Sequence, residues 1–534
     1  MERPLKQKRN VIPRWRSLER TPSDELAASD ISHHPVNASA QQERLRFLYE
    51  RWRSQPSLVN AAEVIDCAVL VKSPLLAIGP AKAILDSDAM PATKVVAKFV
   101  LDGPDIIDLE SDRAEGTKTD IGKKIRTLKI RAANEPRNAL IWLEKARLHT
   151  LVGDTANGKL AIRRAFGCAP ESRYVLRALT RFMVHIGDGE EGLKILRRSK
   201  RLKNDPWLQA AEIALADTLD KHPVSIRAAR NLLADNSLPP VSLSELAAAL
   251  GTIEVREGNR RARKYLKQSL RDPTENALSQ AFWVRDEFDL SVPIKHDMLA
   301  MKGAFEARVQ AALETKKWSE AIVNCRRWLS DEQFSIRAAT CGSYIASSLL
   351  WSSEVTLEFC EQGLIANPDE QMLLNNKVVA LCRLGRLGEA KTALQRLTSL
   401  SGRNQDSHLL ATTGLYHFSS GNFSEGRQCY FRAVEKARSN RLGDVEFRAI
   451  AHWLHEEVSS QGISASKALS SLELVEKIRG KRKLRPLSSE VWNELKKRIE
   501  SRIVQDPSLM PENNQYQLIF DQINFSAAHD LPTI

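Results

Sequence analysis

An all-α solenoid of helical hairpins is the fold this sequence predicts, on three observations. First, Asn138–Pro170, NALIWLEKARLHTLVGDTANGKLAIRRAFGCAP, reads as two short helices joined by a tight turn at Gly153-Asp154. Ala146, Gly158 and Ala165 are small where the helices must touch, and Pro170 ends the second helix. Second, the pattern recurs. Gly187-Asp188 repeats the turn 34 residues on (187 − 153), Gly192 replaces Gly158, and Asp205-Pro206 closes the unit. Third, Ala321, Thr356, Ala390 and Gly426 are small or compact residues expected in equivalent turns, at spacings of 35, 34 and 36 (356 − 321, 390 − 356, 426 − 390). A period in this range marks a helical repeat array, in which each unit buries its apolar face against its neighbours.

Taken in order, residues 1–40 are expected to be a flexible basic tail. They carry Pro4, Pro13, Pro22 and Pro35, and the first twenty hold seven basic residues against two acidic. Trp15, in PRWRSL, is either a short docking motif or a side chain packed back on the body. Helix begins near Gln41, with Leu45, Leu48, Tyr49 and Trp52 at helical spacing. Residues 41–134 read as a divergent helical region. Short apolar helices broken at Ser73-Pro74 and Met90-Pro91 precede an acidic linker near 102–120 and a basic helix around Ile121–Ala133. Clear repeats at 135–206 and 301–437 flank degenerate helical repeats at 207–300, which Pro239-Pro240 interrupts. Residues 438–505 form a helical cap, with helices at Val445–Val458, Ser466–Ile478 and Ser488–Ile503, and 506–534 a tail with apolar pieces such as Leu518, Ile519 and Phe520.

Gly414, Gly421, Phe423, Gly426, Tyr430 and Ala433 in one unit, Gly385, Leu387, Ala390 and Leu394 in the unit before it, and Trp318 with Ala321 further upstream carry a family likeness. In this order they resemble the tetratricopeptide (TPR) repeat, over roughly 138–204 and 302–437. The resemblance implies a TPR-like right-handed superhelix, with irregular helical caps at its ends. It also implies a concave groove, lined by the first helix of each hairpin, that binds a partner protein or peptide. With the register set by Gly153 and Gly187, the groove candidates are Arg147, Tyr174, Arg177, Arg181 and His185, beside Leu143 and Glu144. Three arginines near a tyrosine suit an acidic peptide, because guanidinium pairs bidentately with carboxylates and stacks on aromatics; solvated helix faces are the plainer reading. The later positions Asn375, Val379, Ala411, Leu415 and Phe418 are neutral or apolar. The Lys and Asn pattern of TPRs that clamp chaperone tails is not reproduced beyond Asn375 and Asn376.

Composition narrows the function further. Hydrophobic content of 43% with 27% charged residues is ordinary for a folded protein. The basic N-terminus lacks the apolar run of a secretory signal, and no stretch of about 18 uncharged apolar residues suggests a membrane span. Seven widely spaced cysteines without a CxxC pair argue for a reducing, cytoplasmic setting. Gly116–Lys124 fails as a phosphate loop, with five residues between its glycines and no Ser or Thr after the lysine. His452 and His455 share a helix face but lack further zinc ligands nearby, and His33-His34 lies in the tail. No GxSxG or HExxH motif is present. The expected function is therefore a non-catalytic scaffold or adaptor without cofactor or metal. The net charge of +13 keeps an alternative open: a nucleic-acid-associated or regulatory subunit using the basic tail and a loop bearing Lys477, Arg479, Lys481, Arg482, Lys483 and Arg485.

Overall fold

The structure, a computed structural model, describes residues 9–21, 38–71, 75–89, 93–94, 97, 100–101, 118–234, 238–402, 406–460, 465–480 and 486–505. All regular elements among these are helical. Helices α1 (Ala38–Ser54), α2 (Leu58–Val71) and α3 (Ile78–Leu85) pack around their own core of Leu45, Leu48, Val64, Ile65 and Ile84. Helix α4 (Lys118–Asn134) leads into the array.

Hairpins then follow in series. The first four are α5 (Ala139–Leu151) with α6 (Thr155–Cys168), α7 (Arg173–His185) with α8 (Gly189–Arg198), α9 (Pro206–Thr218) with α10 (Ile226–Ala234), and α11 (Pro240–Arg256) with α12 (Ala262–Ser269). In the fifth, α13 (Glu275–Phe288) is answered only by the 3-10 turn His296–Ala300. Next come α14 (Phe305–Glu314) with α15 (Trp318–Asp331), α16 (Ile336–Ser348) with α17 (Ser353–Ala366), α18 (Gln371–Arg383) with α19 (Leu387–Ser401), and α20 (Ser407–Ser419) with α21 (Phe423–Ser439). Helices α22 (Gly443–Ser459), α23 (Ala465–Gly480) and α24 (Pro486–Gln505) complete the stack. This is an all-α, TPR-like helical-hairpin solenoid.

Three local devices repeat along it. A side-chain oxygen opens many first helices: Asn138, Ser172, Asp205, Thr274, Ser335 and Asp406 each accept from a backbone N–H in the first turn. Each hairpin turns on a left-handed residue, at Gly153, Gly187, Gly258, Gly385 and Gly421, and at Asp220, Asp289, Lys316 and Trp351 where glycine is absent. The fourth residue of many second helices is small and buried: Gly158, Gly192, Ala321, Thr356, Ala390 and Gly426. Gly158 and Gly192 were expected at helix contacts, but Ala321, Thr356, Ala390 and Gly426 were expected in the turns. These four lie instead one helical turn further on, where the second helix crosses the first: a Cβ on Gly426 would sit 2.6 Å from the Phe418 ring.

The solenoid also meets itself. Phe334, after α15, and Ala366, ending α17, share a core with Ile141, Leu143, Tyr174 and Phe182 of α5 and α7. Gly153 approaches so closely that a Cβ there would lie 2.7 Å from the Ile365 carbonyl oxygen. The array thus wraps through one turn and encloses a lumen lined by its first helices.

The N-terminus departs most from expectation. Residues 9–21 are not a free tail but an arm inside that lumen, irregular over 9–17 and ending in a 3-10 turn at Leu18–Arg20, with Trp15 only 1% exposed and Arg9, Arg14 and Arg16 at 4–6%. Proline content and positive charge signalled flexibility; the acidic lumen wall supplied what the tail needed to order.

Candidate functional site

The arm is held by a set of buried charges contributed by several helices. On α14, Glu306 receives both Arg9 Nε (2.9 Å) and Arg9 Nη2 (2.8 Å), together with Arg14 Nη2 at 2.9 Å and Arg337 Nη2 of α16 at 3.0 Å. Arg16 donates to Glu275 of α13 at 2.7 Å and to Asp331, the last residue of α15, at 2.5 Å. Amides complete the cradle. Arg9 Nη1 donates to Gln280 Oε1 (2.7 Å), and Gln280 Nε2 returns a bond to the Arg9 carbonyl (2.9 Å). Asn276 Nδ2 donates to the Ile12 carbonyl at 3.1 Å. Further along, Arg20 donates to the Ser330 carbonyl at 2.8 Å.

Apolar anchors alternate with these charges. Val11 packs among Ala210, Ile213, Leu246 and Leu250 of α9 and α11. Trp15 makes edge contacts with Phe182 of α7 (6.3 Å) and Phe334 (5.8 Å), so it sits where the two ends of the turn meet.

Electrostatics follow from enclosure. Burial alone would raise the Glu306 carboxyl, but Arg9, Arg337 and Arg14 overcome it and hold its pKa far below the carboxylate range. Glu275 is likewise opposed by burial, then drawn down to about 2 by Arg16 and Arg14. Asp331 goes the other way: burial, reinforced by neighbouring Glu332, outweighs Arg16 and raises it.

The residues nominated from the repeat register face this same region. Tyr174 donates its hydroxyl to the Arg16 carbonyl at 3.4 Å. Arg177 pairs with Glu245 of α11 (2.9 and 3.3 Å) and stacks over Trp207 at 4.6 Å. Arg181 stacks over Phe334 at 4.8 Å, and burial lowers its pKa. His185 sets its ring against Phe334 at 5.6 Å, and burial with the nearby Arg181 charge lowers its pKa to about 4. Arg147 is buried and bonded bidentately to Glu144 (2.9 and 2.5 Å). The structure therefore brings Tyr174, Arg181 and His185 together around the arm and leaves Arg147 paired on its own helix.

Sequence reasoning missed the acidic half of the cradle. Glu275 and Glu306 are the first and second residues of α13 and α14, in or beside the stretch where the repeat signal is weakest. The available signal was their 31-residue spacing (306 − 275), one repeat apart.

A second recess lies on the first helices of the later units. Tyr344, Asn375, Asn376, Arg383, His408, Thr412, Tyr430, Arg448 and His452 line it. Arg383 stacks 3.7 Å from the Trp351 ring centroid and donates to the Ser347 carbonyl at 2.8 Å. Burial lowers its pKa to about 10 despite Glu456 nearby. His408 falls to about 4 through burial and the Arg448 charge, and His452 is pushed well down by burial, Arg383 and His455. Asn376 Oδ1 is buried without a hydrogen-bond partner. Among the described residues, no group of three His, Cys, Asp or Glu is placed to hold a metal ion. No described helix is long and apolar enough to cross a membrane.

Lys477 and Arg479 fall in the last turn of α23, which runs on through Gly480 where a loop was expected, and Arg479 lies 3.4 Å from Glu476. Lys481, Arg482, Lys483 and Arg485 lie outside the described residues, as do the linker at 102–117, His33-His34 and the tail 506–534.

No family model matches the chain, and no curated protein matches it. Among solved structures, yeast Tom70 is similar at TM-score 0.29 and 11% identity, covering 88% of this chain and 99% of that one. The APC/C hetero-tetramer Cut9-Hcn1 is similar at 0.35 and 12%, covering 86% and 94%. Naa15/Naa10 bound to HypK-THB is similar at 0.22 and 13%, covering 92% and 80%. At these scores the likeness carries no argument about activity or partners. The repeating caps, left-handed turns and small crossing residues are what make this chain a TPR-like array.

Proposed function

We propose that the chain is a non-catalytic protein-interaction scaffold whose open partner surface is the recess on α16, α18, α20 and α22. The observation that carries this reading is Arg383. Its guanidinium lines a recess shared with Arg448, Asn376 and Tyr430, where burial penalises its charge and lowers its pKa to about 10. A partner segment presenting an acidic side chain would relieve that cost through charge-assisted hydrogen bonds. The first-half groove residues Tyr174, Arg181 and His185 have a different part in this reading: they support the chain's own arm. The nucleic-acid alternative is weakened by the arm, since Arg9, Arg14 and Arg16 are engaged by carboxylates.

The test is copurification from native cells of the wild-type chain and of an Ala411→Arg, Arg448→Glu variant with unchanged helical circular dichroism. Proteins recovered with the wild type should be lost from the variant. Identical sets of copurifying proteins would move the interface elsewhere.

A further inference from the structure

The arm has the chemistry of a bound peptide more than that of a core strand. Residues 9–17 have no regular secondary structure, and their side chains and several of their carbonyls bond to side chains of several different helices. Buried core strands are apolar, because an enclosed charge is expensive unless paired. This one carries three enclosed arginines. The wall that receives them is acidic on its own account: Glu245, Glu275, Glu306, Asp331 and Glu332 outnumber the wall arginines Arg177, Arg181 and Arg337. Removing the arm would leave that wall with unbalanced buried carboxylates, so the lumen is built for a basic occupant. Five of the eight core clusters contain no arm residue, so the hairpins outside its footprint pack without it, whereas Trp15 joins the core of α5 and α7 and Val11 that of α9 and α11. Sixteen residues separate Thr21 from Ala38, a span of about 50 Å when extended, enough for the arm to leave without disturbing α1.

We propose that the lumen is a recognition site for a basic peptide bearing an Arg-Trp-Arg core, and that residues 9–21 are its intramolecular ligand, displaceable by a segment of the same chemistry. This inference is independent of the recess on α16–α22. Recognition is two-part: Trp15 fills the seam between Phe182 and Phe334, and the flanking arginines satisfy Glu306, Glu275 and Asp331. The seam position makes the occupant a brace as well as a ligand.

The experiment uses the full chain with a site-specific protease sequence placed between residues 22 and 37. After cleavage, a fluorescent synthetic peptide of residues 6–22 is added and its incorporation followed by anisotropy, with circular dichroism in parallel. The expected result is one labelled peptide per chain, displacement of the cut arm and unchanged helicity. A peptide carrying Trp15→Ala and Arg14→Glu should bind at least a hundredfold more weakly, and a Glu306→Gln chain should hold the native peptide at least tenfold more weakly. A cut arm that exchanges only when the helices melt, or a cleaved protein that unfolds, would make the arm part of the core and overturn the proposal. Equal binding of native and substituted peptides would overturn it too.

Discussion

Glu306 is the residue on which the account bears most heavily, because one carboxylate answers Arg9, Arg14 and Arg337. Removing one member of a buried charge set leaves the others uncompensated, typically at about 3–5 kcal/mol. Glu306→Ala should therefore lower unfolding free energy in urea by that order, while Arg51→Ala, in an exposed pair with Glu63, should change it by less than about 1 kcal/mol. The acid limb of stability has a defined sign. His185 and His408 titrate at about 4 in the fold against 6.5 unfolded, so the stability from their neutral forms is complete above pH 6.5 and is lost as pH falls towards 4. Glu275, at about 2 against 4.5, adds a second loss as pH falls from 4.5 towards 2; Asp331, with a raised value, acts in the opposite sense. Denaturant titrations from pH 8 to 3 should show stability declining from about pH 6.5, and His185→Gln should reduce the first stage. A flat profile from pH 7 to 5 would contradict the buried-neutral assignment.

At the level of elements, the hairpin is set by two close approaches, and this is the part of the fold most legible in the sequence. Gly153 and Gly187 were readable as turns because a left-handed residue strongly favours glycine, whereas the later turns were placed at Ala390 and Gly426, five residues past the left-handed Gly385 and Gly421 (390 − 385, 426 − 421). The middle of the array was harder to read for the same reason. Asp220 takes the left-handed position of the third hairpin, and the fifth replaces its second helix with a 3-10 turn, so the glycine signal vanishes where the architecture persists. Crossing glycines behave differently from surface ones. Gly414 faces Tyr430, with a Cβ destined to lie 2.7 Å from its ring, so Gly414→Ala should overpack the α20–α21 crossing and cost about 1–3 kcal/mol. Gly122, inside α4 with open space around it, should tolerate alanine with a gain of about 0.5–1 kcal/mol. Thermal or urea unfolding of the two variants checks the pair, and equal effects would contradict the packing described.

Taken as a whole molecule, the array is a turn of solenoid closed on a segment of its own chain. Periodicity could not reveal this. It reports which residues face a neighbour one repeat away, whereas Phe334 meets Trp15 and Phe182 across 319 and 152 residues (334 − 15, 334 − 182). The register did point Tyr174, Arg181 and His185 to the inner face, but it gave no sign that the face was filled. Trp15→Ala removes the side chain at the seam and should cost about 3–5 kcal/mol, more than a typical surface change by several-fold. The most direct test of the central claim needs no substitution. Native trypsin digestion followed by intact-mass analysis reads whether the bonds after Arg9, Arg14 and Arg16 are accessible. These three bonds should survive while exposed sites elsewhere are cut; rapid cleavage after Arg14 or Arg16 in the folded protein would mean that the arm is not enclosed.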